Sequence, residues 1–262
     1  MVWSGFSVGR VSQHSARVTI CASKTTGSSP QRRQQSVGVA EAMNFDYRGL
    51  ATQLERVHSP RLALRPLALS DGWPLYRATR NPEFNRHLMW TQPADEQVLL
   101  ERVDVIIEAS RRGQVAAMSA VLKDTGEWVA LFRFQPHASG AGVIEMGLWT
   151  NDRFWQDGYS VELTRACIDA TFSLSAARAM VGAAAPANRA SSRVLERCGL
   201  LPSQQVYRQG ELESEVPLQE YIINRASWVS SHGAPGFTAV PRFAPVLLPP
   251  QASPAELALQ TA

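Results

Sequence analysis

Apolar residues recur along the middle of the chain with two periods, and each change of period marks a predicted element. Arg61, Leu62, Ala63, Leu64 and Arg65 alternate, which predicts a strand that Pro66 closes or leaves at a sheet edge. Ser70 and Asp71 offer an N-cap for a helix to about Arg80, where Asn81 and Pro82 stop it. Asp95 opens a longer helix. Its Leu99, Val103, Ile106, Ile107 and Ser110 share one face, and Gly113 ends it. Extended runs over 116–122 and 127–134 flank Asp124-Thr125-Gly126 and predict an antiparallel hairpin. A strand over 142–149 follows. Tyr159, Leu163, Ala166, Cys167, Ala170 and Leu174 then line one face of a helix. A small-residue strand over 178–184, a helix after Asn188 and strands near 203–208 and 216–224 complete the series. Strand, helix and strand over 142–184 predict a parallel pair with a right-handed crossover. The predicted fold class is α/β: a mixed sheet, antiparallel at first and parallel in the middle.

The two ends break this pattern. Residues 1–42 hold eight serines and no sustained apolar period, and the first 40 residues hold five basic side chains and no acidic one. That composition fits a disordered extension, an organellar transit peptide, or sequence upstream of a start at Met43. Residues 229–262 carry Pro235, Pro241, Pro245, Pro249, Pro250 and Pro254, which break regular elements. The expected folded unit is one domain over 59–228, with both tails dispensable.

Charge and cysteines narrow the partners. The formal net charge is +3, but five of the 26 basic residues lie in the first 40, which leaves 21 basic against 23 acidic. A near-neutral domain argues against nucleic acid. No apolar run is long enough for a membrane span. Cys21, Cys167 and Cys198 are scattered without metal-ligand spacing, which points to a reducing, cytoplasmic setting and away from structural zinc.

The most specific chemistry lies between 142 and 200. The turn Phe154-Trp155-Gln156-Asp157-Gly158-Tyr159-Ser160 sits where an extended run gives way to a helical period. Such a turn leaves backbone N–H groups pointing along the positive end of a helix, a place for phosphate. It is followed by Asn188-x-Ala190-Ser191-x-Arg193-Val194-Leu195-Glu196 and Gly199.

Together these segments resemble the GNAT N-acetyltransferases, in particular the ribosomal-protein N-terminal acetyltransferase branch. The similarity runs over about 59–200 and includes the opening strand from Ser59, the hairpin around Lys123, and Ile144-Glu145-Met146-Gly147-Leu148-Trp149. The resemblance implies acetyl-CoA as acyl donor, an amine acceptor (a protein N-terminus or a small molecule), no metal, and a monomer or homodimer. It implies that pyrophosphate rests on Gln156, Asp157, Gly158, Tyr159 and Ser160. Pantetheine would pair with the edge of the 144–149 strand and bond Asn188. Backbone N–H groups of Met146, Gly147 and Leu148 would polarise the thioester. Ser191 would protonate the leaving thiolate.

The chain also departs from the family pattern. Gln156 stands where the loop usually has its first glycine, and Asp157 brings a carboxylate beside the phosphates, for which Arg153 or Arg193 could compensate. Leu195 replaces a frequent Tyr proton donor. Glu145 is the candidate general base facing the cleft; the alternative is a cross-strand ion pair with Arg133. His87 and His137 are other bases in kind. Phe84, His87, Leu88, Met89 and Trp90 form either an acceptor wall or core. Glu211, Glu213 and Glu215 either attract a cationic amine or form a solvated loop. The competing function is a non-catalytic module that binds acyl-CoA or a protein partner.

Overall fold

The computed structural model describes residues 45–57, 59–210 and 215–232. Seven strands form one sheet in the order β1-β2-β3-β4-β5-β7-β6. They are β1 Leu62–Pro66, β2 Ala116–Leu122, β3 Trp128–Pro136, β4 Val143–Thr150, β5 Ala179–Ala184, β6 Leu201–Gln209 and β7 Glu215–Asn224. Only β4 and β5 pair in parallel, and the other neighbours are antiparallel. The mixed α/β sheet expected from the sequence is the one observed.

Helices cover both faces. On one side lie α1 (Tyr47–Leu54) and the crossover helix that follows β4. On the other lie α2 (Gly72–Ala78), the short α3 (Pro82–Asn85) and α4 (Glu96–Arg111). The crossover helix is α5 (Tyr159–Leu174); α6 (Arg189–Arg197) and α7 (Arg225–His232) complete the set. Alternation along β3 and β4 explains the two layers. Phe132, Phe134, Ile144, Met146 and Leu148 meet α1 and α5, while Leu131 and Trp149 meet α2 and α4. The predicted α4 stripe of Leu99, Val103, Ile106 and Ile107 is buried, and Asp95 caps the helix by accepting from Val98 N at 2.9 Å.

One boundary moves. Residues 47–54, expected in the N-terminal extension, form α1, whose Tyr47, Leu50 and Leu54 are buried in the main core. Their spacing of three and four residues is that of a helix face against a sheet. The folded unit therefore starts before residue 59. At the other end, Trp228 of α7 is buried and donates to Asp169 Oδ1 at 2.7 Å. The extension before residue 45, Cys21, and the proline-rich stretch beyond 232 lie outside the described residues.

The β4–β5 pair shapes the site. Its rungs run from Val143–Ala179 to Met146–Gly182 and then stop, although β4 continues to Thr150 and β5 to Ala184. A Cβ on Gly182 would come within 2.6 Å of Leu195 Cδ2, so the missing side chain lets α6 press against β5 where the strands part. Leu195, at the position of the family's frequent Tyr, is a fully buried core residue.

The placement of α1 gives a test. A chain beginning at residue 59 is expected to melt roughly 10 °C or more below one beginning at residue 45, because three buried apolar side chains are lost. Thermal denaturation of the two proteins measures this difference.

Candidate active site

The parting of β4 and β5 opens a cavity of about 620 Å³. Its floor is Leu148, Trp149 and Thr150 of β4; one side is the turn before α5, and the opposite side is α6. The third side is α3 and the residues just after it.

Register settles which β4 backbone groups face the opening. His137 N donates to Val143 O at 3.1 Å and Asn151 N to Val129 O at 2.8 Å, so the odd residues of β4 exchange bonds with β3. The even residues therefore point toward β5. Met146 lies on the last paired rung, and its edge is taken by β5. Beyond it, Leu148 presents N–H and C=O to the opening. Thr150 presents its N–H, while its carbonyl accepts from Trp155 Nε1 at 2.9 Å. The free edge expected over 144–149 thus begins only after Met146. Of Met146, Gly147 and Leu148, only Leu148 both lines the cavity and aims its N–H into it.

The turn before α5 is a cradle of backbone N–H groups. Those of residues 156–161 donate to no described backbone or side-chain acceptor. The neighbouring amides are used: Trp155 N bonds Asp152 O at 3.2 Å and Glu162 N bonds Gly158 O at 3.0 Å. Unpartnered amides at the start of a 16-residue helix are groups of the kind that hold an anion. The backbone achieves this with left-handed residues at Gln156 (φ 71°) and Gly158 (φ 82°). Gln156 is the only described non-glycine residue with positive φ, so the place of the family's first glycine keeps its conformation. Gln156, Gly158, Ser160 and Val161 line the cavity. Asp157 and Tyr159 do not.

One arginine holds this loop. Arg61, just before β1, donates from Nη1 and Nη2 to Asp157 O, each at 3.1 Å. Its Nε bonds Glu162 Oε2 at 2.7 Å, its backbone N bonds Glu162 Oε1 at 2.8 Å, and its guanidinium lies 3.8 Å above the Tyr159 ring. Ser59 Oγ also donates to Glu162. Burial pushes the Glu162 carboxyl pKa up, but these hydrogen bonds and the Arg61 charge outweigh it and hold the pKa below its usual value. Nothing in the sequence pairs Arg61 with a loop 96 residues away.

Across the cavity, Asn188 caps α6 by accepting from Ser191 N at 3.1 Å. Its side-chain NH2 has no partner among the described residues, and neither does the Ser191 hydroxyl; both residues line the cavity. Ser160 Oγ and Thr150 Oγ1, 2.8 Å apart, tie α5 to β4. Arg189, Arg193 and Arg197 stand four residues apart along the α6 border. Of the two arginines expected near the phosphates, Arg193 is at the cavity. Arg153 instead pairs with Glu127 at 2.6 Å.

Glu145 needs correction. It does not line the cavity. Its carboxylate is buried, and Arg208 Nη1 donates to it at 2.5 Å. Arg208 Nη2 continues to Glu220 at 2.8 Å, which meets His137 Nε2 at 3.1 Å and Gln204 Nε2 at 3.1 Å. Arg133 shares this polar layer: burial pushes its pKa down to about 10, with the Glu145 charge opposing the shift. A carboxylate held by Arg208 and away from the cavity lining is not placed to meet a substrate amine. His137 belongs to this layer, whereas His87 lines the cavity. Burial, then the charge of Arg86, lowers the His87 pKa, so the ring is neutral at pH 7. Cys198 is buried with its pKa pushed up to about 12, as for an inert core thiol. Residues 211–214 lie outside the described residues. Among the described residues, no cluster could hold a metal.

Residues 61–201 match the family model described as acetyltransferase (GNAT) domain. The chain belongs to this family and is an acyl-CoA-dependent acetyltransferase. It is 25% identical over 120 residues to an uncharacterized N-acetyltransferase, p20, of Bacillus licheniformis, covering 46% of this chain and 67% of that protein. Among solved structures it is similar to RimL, a ribosomal L7/L12 alpha-N-protein acetyltransferase in complex with coenzyme A. There the TM-score is 0.55 and the identity 18%, covering 63% of this chain and 95% of the other. It is also similar to an aminoglycoside acetyltransferase, AAC(6')-Ib, in complex with coenzyme A. That pair has a TM-score of 0.54 and 15% identity, covering 66% and 99%.

Two tests follow. A side chain held at positive φ costs about 1–2 kcal/mol, and glycine gives back part of this as chain entropy. Gln156→Gly is therefore expected to raise stability by about 0.5–1 kcal/mol in denaturant titration. Glu162 has a lowered pKa, so its contribution is present above its unfolded pKa and is lost as pH falls through the folded one. The stability gap between the protein and Glu162→Gln is expected to be constant from pH 7 to 5 and to shrink below about pH 4. Melting curves across that range measure it.

Proposed function

We propose that this protein transfers the acetyl group of acetyl-CoA to a primary amine by direct attack. The supporting observation is the turn of unpartnered amides, four of whose residues (Gln156, Gly158, Ser160 and Val161) line one cavity with the unpaired edge of β4. The cradle fits pyrophosphate, and Arg193 adds positive charge to the cavity from α6. The Leu148 edge suits an extended, amide-bearing pantetheine, with the Asn188 NH2 as a further donor. Leu148 N–H is placed to polarise a thioester carbonyl.

The chemistry needs no covalent enzyme intermediate. The ammonium loses one proton, its nitrogen forms a C–N bond to the acetyl carbon and gives up a second proton, and the C–S bond breaks. The thiolate takes one of the two protons, and the other is released. Ser191 has an uncommitted hydroxyl at the cavity and is the proposed donor to the thiolate. His87, on the third side just after α3, is the proposed acceptor of the ammonium proton. The withdrawal of Glu145 favours a second reading, a binding module without turnover, which the same experiment separates from the first.

Calorimetric titration with acetyl-CoA is expected to show saturable binding, followed by CoA release when an acceptor amine is added. Ser191→Ala should lower kcat by roughly 10-fold to 100-fold with the acetyl-CoA Kd within twofold. Absence of binding removes the proposal. Binding without turnover on any amine establishes the module instead.

A further inference from the structure

The cavity has an end that acetyl-CoA recognition does not explain. Its wall is Phe84, Leu88, Trp149 and Trp155, with Glu83 and His87 at the rim. The Phe84 and Trp155 rings are parallel (interplanar angle 0°) with centroids 6.5 Å apart. Trp149 stands edge-on to Phe84 at 6.3 Å and 63°. Trp155 is fixed by its indole bond to Thr150 O and remains 38% exposed.

We infer that this aromatic wall is the acceptor subsite and that it selects amines carrying a flat aromatic ring. The inference rests on the acetyl-transfer reading above and names the acceptor class for the same cavity. Rings favour offset-stacked and edge-to-face neighbours; Phe84 and Trp149 are buried against one another, and the exposed ring of Trp155 is the surface the wall presents to a guest. An ammonium is attracted by aromatic faces and by the Glu83 carboxylate, which is half-exposed and shared with Arg86 at 2.6 Å. The wall is poorly suited to a peptide. Its backbone N–H groups are turned into its own local turns: Phe84 N to Asn81 O at 3.1 Å, Arg86 N to Pro82 O at 3.2 Å, and Leu88 N to Asn85 O at 3.0 Å. What it offers an acceptor is ring surface, the Glu83 carboxylate and the His87 imidazole.

Phenylethylamine, cyclohexylethylamine and an unblocked hexapeptide are compared as acceptors, with CoA release as the readout. Phenylethylamine is expected to give a kcat/KM at least tenfold above either of the others. Trp155→Leu and Phe84→Leu should each raise its KM at least fivefold, with the acetyl-CoA Kd within twofold and folding checked by melting. Calorimetry with phenylethylamine alone supplies a readout independent of turnover; binding is expected in the native protein and weakened at least fivefold in Trp155→Leu. Equal or better use of the aliphatic amine or the peptide overturns the inference, as does an unchanged KM in both variants. Acetyl-CoA binding without phenylethylamine binding overturns it while leaving the transferase reading standing. Failure of acetyl-CoA to bind removes that reading and the inference with it.

Discussion

The parting of two parallel strands is the constraint from which the site follows. While β4 and β5 pair, each uses the other's backbone groups, and no ligand can compete. After the Met146–Gly182 rung the pairing ends, and β4 leaves Leu148 with an unmet donor and acceptor. Buried amides without partners are costly, so such an edge persists where solvent or a ligand completes it. Gly182 and Leu195 hold the geometry. The helix approaches β5 so closely that no Cβ fits between them, and α6 becomes the far wall of the opening. Leu195 is thus spent on packing, and the Ser191 hydroxyl one turn earlier is, with the Asn188 NH2, an uncommitted polar group on that wall.

The second requirement is a rigid loop with unpaired amides. The N–H groups of 156–161 have no acceptor among the described residues, and Gln156 holds a conformation unfavourable to its side chain. Arg61 offsets this from outside the cavity. It binds the loop through the Asp157 carbonyl and the helix through Glu162, so the amides stay free for a ligand. The same arrangement keeps Asp157 off the cavity lining. The charged groups at the cavity border are then mainly cationic, along one face of α6.

Local patterns in the sequence carried much of this. The mixed sheet, the α4 stripe and the helix after the glycine turn all follow from period and caps. The α1 face of Tyr47, Leu50 and Leu54 was also written in the sequence, but composition assigned it to the serine-rich extension beside it. Contacts between distant segments were not legible. Alternation gives the facing of Glu145, yet it cannot say that Arg208 arrives from a strand 63 residues later and consumes the carboxylate. Similarly, Gln156 looked like a defect in a glycine loop. Only the backbone shows that it adopts the conformation a glycine would.

Amide hydrogen exchange tests the central claim most directly, because it reads the backbone donors themselves. With saturating acetyl-CoA, the amides of residues 156–161 and Leu148 should exchange at least tenfold more slowly, while those of the β6–β7 hairpin remain unchanged. Saturation by acetyl-CoA with no slowing at 156–161 would contradict the account.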